Sequence, residues 1–211
     1  MSSRRTDFRI RWPRAIIAVG CYLIVSGCGG SSSPQAPPVT ATCGPYPDQA
    51  TSPYVLPYEV GTSHRVSQGN CTNRSHKTGT PDQYGYDFIM PIGTILIASR
   101  AGTVTRIEDG FMDNTGVPGE ENVVGVTHDD GSVALYFHIA ENGSMVAIQQ
   151  EVQQGDVIAL SGNSGNSTEP HLHFVVDGPP GTGGVGTVPI TFQNTAAHPD
   201  GLVEGFIYEA L

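Results

Sequence analysis

The sequence predicts an all-β domain of short antiparallel strands joined by tight turns, and three observations support this. First, apolar runs of roughly four to eight residues, rich in Val, Ile, Phe and Tyr, recur from about Tyr54 onward: "YDFIMPIGT", "TILIAS", "GTVTRIEDG", "NVVGVTHDDG", "SVALYFHIA", "DVIALSGNSG" and "HLHFVVDG". Second, Gly, Asp and Asn punctuate these runs at short intervals, which is the chemistry of tight turns. Third, no long segment carries a 3.6-residue apolar period, and no internal repeat is visible. The closing stretch "VPITFQNTAAHPDGLVEGFIYEAL" reads as further strands and loops completing the same domain.

The N-terminus stands apart from that texture. "MSSRRTDFRIRWPR" carries Arg4, Arg5, Arg9, Arg11 and Arg14, and "AIIAVGCYLIVSG" follows it. The apolar run suits a signal peptide and is too short to span a bilayer comfortably. It ends in "VSGC", which resembles the lipobox of bacterial lipoproteins. That resemblance implies cleavage before Cys28 and lipid on its thiol; an ordinary signal peptide or an uncleaved anchor is the alternative. "SRR" resembles part of a twin-arginine signal, but Phe8 falls one position late for that pattern.

The expected organisation is therefore a signal peptide over 1–27, a lipidated Cys28 and flexible linker over 28–51, and a folded domain with a C-terminal extension over 52–211. The linker assignment rests on "GGSSSPQAPPVTAT" (29–42), which is rich in Gly, Ser and Pro and has no apolar period. From Cys28 onward five basic residues face nineteen acidic ones, a formal charge of −14. This excludes nucleic acid as the expected partner, because such binding depends on basic contacts to phosphate. With Cys21 in the signal and Cys28 lipidated, Cys43 and Cys71 remain. In an exported chain an isolated pair is expected to bridge.

Three histidines and one carboxylate are the candidates for chemistry. In a strand, residues two apart point to one face, so His171 and His173 of "EPHLHFVV" share a face while Leu172 and Phe174 take the other. A strand is a stiff platform for two imidazoles, although many such pairs are merely surface residues. In "SVALYFHIA", Val133, Leu135 and Phe137 share one face and Ala134, Tyr136 and His138 the other, so His138 alone would read first as a core residue. Asp87 sits between Tyr86 and Phe88 in "YGYDFIMP", where a carboxylate is costly to bury unless it pairs or binds a metal.

Taken together, "YGYDFIMPIGTILIASRAGTVTRIEDG", "ALYFHI", "VQQGDVIALSG" and "SGNSGNSTEPHLHFVV" resemble, in that order, the lysostaphin-type zinc endopeptidases of bacterial cell walls. "SPYVLPYEVGTSHRVSQGN" is similar to the lead-in of some Gram-negative members. The resemblance implies that His173 and Asp87 are zinc ligands. It implies that His171 and His138 are the catalytic partners, which orient or deprotonate the attacking water and stabilise the oxyanion. Zn²⁺ is the implied cofactor, and the chain is identified as a member of a family that cuts peptidoglycan stem peptides.

Two departures from the family pattern matter. Many members place the first ligand histidine four residues before the aspartate, where this chain has Gln83, and Glu169 replaces a common glycine. A neutral amide is a poor zinc ligand beside imidazole. His76, in "NRSHKTGTPDQYGYDF", is therefore the expected third ligand, with the turn-rich "KTGTPDQYG" looping out before Asp87. The alternative is a degenerate site with His76 on the surface. His128 is expected in an exposed turn, and His64 and His198 in loops without a role.

Two function classes follow. The first is a zinc endopeptidase of peptidoglycan crosslinks, lipid-anchored in the cell envelope and facing the periplasm. Gly29 after the lipidated cysteine favours the outer membrane. The second is a non-catalytic wall-binding regulator that activates other hydrolases, which loss of metal ligands would favour. A protein activator of the chain itself is possible, though no sequence feature indicates one.

Overall fold

The computed structural model describes residues 43–180 and 186–211. The expected signal peptide, Cys28 and the linker up to residue 42 lie outside the described residues. Among the described residues there are eleven strands and one short 3₁₀ turn, Gln49–Thr51.

The strands are β1 (Ser63–Gln68), β2 (Tyr86–Ile89), β3 (Ile95–Ile97), β4 (Gly102–Glu108), β5 (Val123–Thr127), β6 (Val133–Phe137), β7 (Ile139–Ser144), β8 (Glu151–Val152), β9 (Val157–Ser161), β10 (His171–Asp177) and β11 (Ile207–Glu209). An eight-stranded sheet runs in the order β11-β1-β2-β10-β6-β5-β4-β8, and a three-stranded sheet runs β3-β9-β7. Every strand pairing is antiparallel. The all-β expectation is met, and the closing stretch supplies β11, which pairs with β1 at the sheet edge.

The large sheet has one apolar face and one mixed face. Tyr86 and Phe88 of β2, Ala134 and Tyr136 of β6, Val124 and Val126 of β5, and Leu172, Phe174 and Val176 of β10 all enter the main core, with Leu96 of β3 and Ala159 of β9 from the second sheet. Burying each large apolar side chain contributes about 1.5–3 kcal/mol. On the opposite face Val123, Leu135 and Val175 form a smaller cluster against Val133 and Phe137. His171, His173 and Asp87 belong to that second face by alternation, and the register pairs His173 with Asp87 on one side and with Phe137 on the other. A slip of one residue would drive both imidazoles into the aromatic core, so burial of Leu172 and Phe174 fixes the site as well as the fold.

Residues 43–51, on the linker side of the expected boundary, are fastened to the domain. Cys43 is disulfide-bonded to Cys71, 28 positions away, with Cα atoms 5.7 Å apart. Asp48 caps the 3₁₀ turn through Ala50 N–H. The Gln49 amide donates to the carbonyls of Phe192 and Thr195 at 3.1 and 3.0 Å.

Two of the remaining histidines differ from expectation. His128 is buried, not exposed: alternation carries on past Thr127 and puts it on the core face with Val124 and Val126. Its Nδ1–H donates to Ala101 O at 2.8 Å and its ring stands edge-on to Tyr54. His64 lies in strand β1 rather than a loop. Its Nδ1–H donates to Ile89 O at 3.1 Å and its ring lies 4.6 Å from that of Tyr58. His198 does sit in a loop, but it is buried: Nε2 accepts from Phe192 N–H at 2.9 Å and Nδ1–H donates to Ala196 O.

Candidate active site

His76, Asp87, His138, His171 and His173 converge at one cleft of about 410 Å³ on the mixed face; its lining includes Asp87, His138, His171, His173, Asp82, Glu121 and Arg74. β2 and β10 carry Asp87, His171 and His173. His138 is the single residue between β6 and β7, and His76 comes from the loop between β1 and β2.

His76, Asp87 and His173 offer three donor atoms within 4.8 Å of one another. His173 Nδ1 lies 2.8 Å from Asp87 Oδ1 and 3.2 Å from His76 Nε2, and His76 Nε2 lies 3.4 Å from Asp87 Oδ1. The donors of a tetrahedral ion with bonds of about 2.0–2.2 Å stand about 3.3–3.6 Å apart. Two of the three separations match within about 0.1 Å and the third is shorter, so the donor set fits such a cation. His76 is 1% exposed, not a surface residue. Its Nδ1–H donates to Gly69 O at 3.1 Å, which leaves Nε2 as the free lone pair facing Asp87. Gln83 does not face this cluster; its Oε1 accepts from Gly79 N–H at 2.6 Å and staples the loop.

The close approach of two imidazoles depends on Gly85. A Cβ there would lie 2.9 Å from His173 Cε1 and 3.0 Å from His76 Nε2. This residue carries no chemistry of its own and was missed from sequence. Asp82 was missed too: its Oδ1 lies 3.7 Å from His173 Nε2.

His138 reaches the cleft by a backbone route that alternation does not predict. As the residue after Phe137 it should share the core face of Ala134 and Tyr136. Instead its φ is +61°, the left-handed region, and the ring swings to the mixed face, with centroids 4.6 Å from His171 and 6.1 Å from His173. Histidine tolerates this region better than most side chains, and such strain collects at functional sites. Ser164 O accepts from His138 Nδ1–H at 2.7 Å and holds the ring there. Ser164 is fixed in turn, its hydroxyl donating to Ile139 O and accepting from Asn122 N–H. His171 Nδ1–H donates to Glu169 O at 2.8 Å, with Ser167 Oγ at 3.1 Å. Glu169 thus acts on His171 through its backbone carbonyl, which a glycine would supply equally. Both imidazoles have Nδ1 fastened to the 164–169 segment, and His171 Nε2 lies 3.9 Å from Asp87 Oδ1.

Electrostatics separate the groups. Burial pushes the Asp87 carboxyl up, but the His173 and His76 imidazoles beside it outweigh this and hold Asp87 well below the carboxylate range. Burial disfavours the His173 imidazolium, yet Asp82 and Asp87 overcome this and raise it to about 9. Burial, followed by repulsion from His171 and His173, lowers His138 to about 4, so His138 is neutral near pH 7. Burial raises Glu121, but the N–H groups of Asn166 and Gly119 outweigh it and keep it ionised.

Comparison with known proteins agrees with this arrangement. Residues 81–181 match Peptidase family M23, a span that holds Asp87, His138, His171 and His173 and leaves His76 outside. The chain is 32% identical over 130 residues to an uncharacterized metalloprotease of Buchnera aphidicola, which covers 60% of this chain and 32% of that protein. It is 33% identical over 120 residues to the peptidoglycan DD-endopeptidase ShyA of Vibrio cholerae, covering 56% and 26% respectively. It is also 36% identical over 92 residues to lysostaphin of Staphylococcus staphylolyticus, covering 43% and 18%. The chain thus spans a third or less of the length of these relatives. The clustered His and Asp side chains and the sequence match agree in one respect: over residues 81–181 the chain is similar to Peptidase family M23.

Proposed function

We propose that this chain is a zinc-dependent endopeptidase that hydrolyses peptide crosslinks of peptidoglycan and is tethered through lipid on Cys28 to the outer membrane, facing the periplasm. The observation that carries the catalytic reading is the His76–Asp87–His173 donor cluster beside two further imidazoles in one cleft. The substrate class follows from relatives named as a peptidoglycan endopeptidase and as lysostaphin. The tether follows from "VSGC" and from Gly29. The regulator reading rested on Gln83 standing where a ligand is usual. It loses that support because His76 Nε2 lies 3.4 Å from Asp87.

In this reading His76 Nε2, Asp87 Oδ1 and His173 Nδ1 would hold the cation, and zinc would polarise the carbonyl and lower the pKa of water to ~7. His138 takes the proton of the attacking water at Nε2, since its Nδ1–H is committed to Ser164 O and its lowered pKa keeps it neutral. His171, its Nδ1–H held by Glu169 O, faces the developing oxyanion through Nε2, and the proton that His138 took from the water passes to the leaving amine. The peptide C–N bond breaks, water oxygen joins the acyl carbon, and the amine leaves with a proton.

The test is incubation of the purified protein with isolated sacculi, followed by muropeptide separation. Crosslinked dimers should fall and monomers rise, and a chelator should stop this. Unchanged dimers with zinc-loaded protein contradict the enzyme reading. Cys28→Ala should release the protein from the membrane fraction or leave it unprocessed, and lipidated, membrane-bound Cys28→Ala protein contradicts the tether.

A further inference from the structure

We propose that Asp82 is a positioning residue for the metal centre: its carboxylate is the outer partner of the His173 ring, and the extended loop between His76 and Asp87 exists partly to deliver it. This rests on the reading of His76, Asp87 and His173 as cation ligands. His173 uses Nδ1 toward Asp87 and His76, so Nε2–H points away from the donor cluster. Asp82 Oδ1 stands 3.7 Å from that nitrogen, just beyond hydrogen-bond length. A carboxylate on the far nitrogen of a ligating histidine fixes its tautomer and ring plane and makes the near nitrogen a stronger donor.

The placement of Asp82 is built into the chain. Asp82 follows Pro81, whose carbonyl accepts from Thr187 Oγ1 at 2.7 Å, while Thr187 Oγ1 also accepts from Tyr84 N–H at 3.2 Å. Thr80 Oγ1 donates to Lys77 O at 2.7 Å, and Gly79 N–H donates to Gln83 Oε1 at 2.6 Å. Asp82 O accepts from Gly85 N–H at 2.9 Å. The turn is thus clamped before and after Asp82, and the clamp includes Gln83, the residue that stands where a ligand is usual. With only three residues between the ligands, no such turn would form. Ten residues between His76 and Asp87 leave room for both a turn and an acid aimed back at His173.

The experiment measures zinc affinity of the purified chain by competition with a chromophoric chelator, with the melting midpoint of each metal-free variant as the fold control. Wild type should bind one zinc, and Asp82→Ala should bind it about 10–100-fold more weakly. Asp82→Glu, which keeps the carboxylate on a half-exposed position, should recover affinity to within about fivefold of wild type. Unchanged affinity in Asp82→Ala overturns the proposal and leaves the active-site reading standing. Equal weakening in Asp82→Ala and Asp82→Glu also overturns it, because the turn rather than the carboxylate would then be responsible. Wild type that binds no zinc overturns the active-site reading and this proposal with it. Should Asp82→Ala fail to fold, Asp82→Asn, of the same shape, takes its place, and wild-type affinity in it overturns the proposal.

Discussion

The left-handed backbone at His138 makes a prediction whose sign is unusual. Elsewhere in a strand, glycine is less stable than alanine by about 0.5–1 kcal/mol, because it loses more backbone freedom on folding. At His138, with φ +61°, alanine meets the Cβ–carbonyl crowding of the left-handed region, about 1–2 kcal/mol, and glycine does not. The difference leaves His138→Gly more stable than His138→Ala by about 0.5–1 kcal/mol. Both variants lose the same ring from the same buried place, so the cavity left behind cancels in the comparison. Arg65, exposed in β1, serves as the reference, where Arg65→Ala should be the more stable of the pair. Urea unfolding reads both differences: at an m-value of about 2 kcal/mol/M, the His138 midpoints should part by about 0.3–0.5 M, glycine higher. Both His138 variants should lose turnover about 10²–10⁴-fold while retaining zinc. His138→Ala equal to or more stable than His138→Gly would refute the claim that strain at this residue turns the ring into the cleft.

Three further outcomes follow from the structure. Opening the Cys43–Cys71 bridge frees a loop of 28 positions and should cost about 3–4 kcal/mol on the chain-entropy model. For a domain of this size that lowers the melting temperature by roughly 6–16 °C, and a reductant that leaves it unchanged speaks against the bridge. Gly85→Ala should lower zinc affinity at least tenfold while the β signature in far-ultraviolet circular dichroism persists, because the new Cβ meets both ligand rings; wild-type affinity would count against the packing argument. Burial holds His64, His128 and His198 below the ordinary histidine value of 6.5. The unfolded chain therefore takes up protons that the folded one refuses, and stability should decline as pH falls below about 6.5. A urea midpoint that stays level between about pH 6.5 and 5 contradicts this.

What the sequence made legible is what alternation and residue type control. Period-two patterning placed His171 and His173 on one face and Leu172 and Phe174 on the other, and the register with Asp87 follows once β2 and β10 pair. The same patterning misled at His138, because one residue of positive φ reverses a face and no residue type demands that reversal. It was applied too briefly at His128, where the alternation of Val124 and Val126 runs one position further than the apolar residues do. His76 was singled out by chemistry, since an imidazole is the better donor and a turn-rich loop can return. Asp82 and Gly85 stayed hidden because their importance lies in distances to His173 that only the folded loop creates. Cys43 to Thr51 read as linker because their anchors, Cys71, Phe192 and Thr195, lie far along the chain.

The central claim is that a zinc ion is held by His76, Asp87 and His173, with Gln83 a loop staple. The measurement that tests it most directly is the zinc content, by mass spectrometry of the metal, of wild type, His76→Ala and Gln83→Ala prepared in parallel. The account predicts one zinc per chain in wild type and in Gln83→Ala, and none in His76→Ala, since removing one of three protein ligands from a four-coordinate site leaves only two. Full zinc in His76→Ala, or its loss in Gln83→Ala alone, would contradict it.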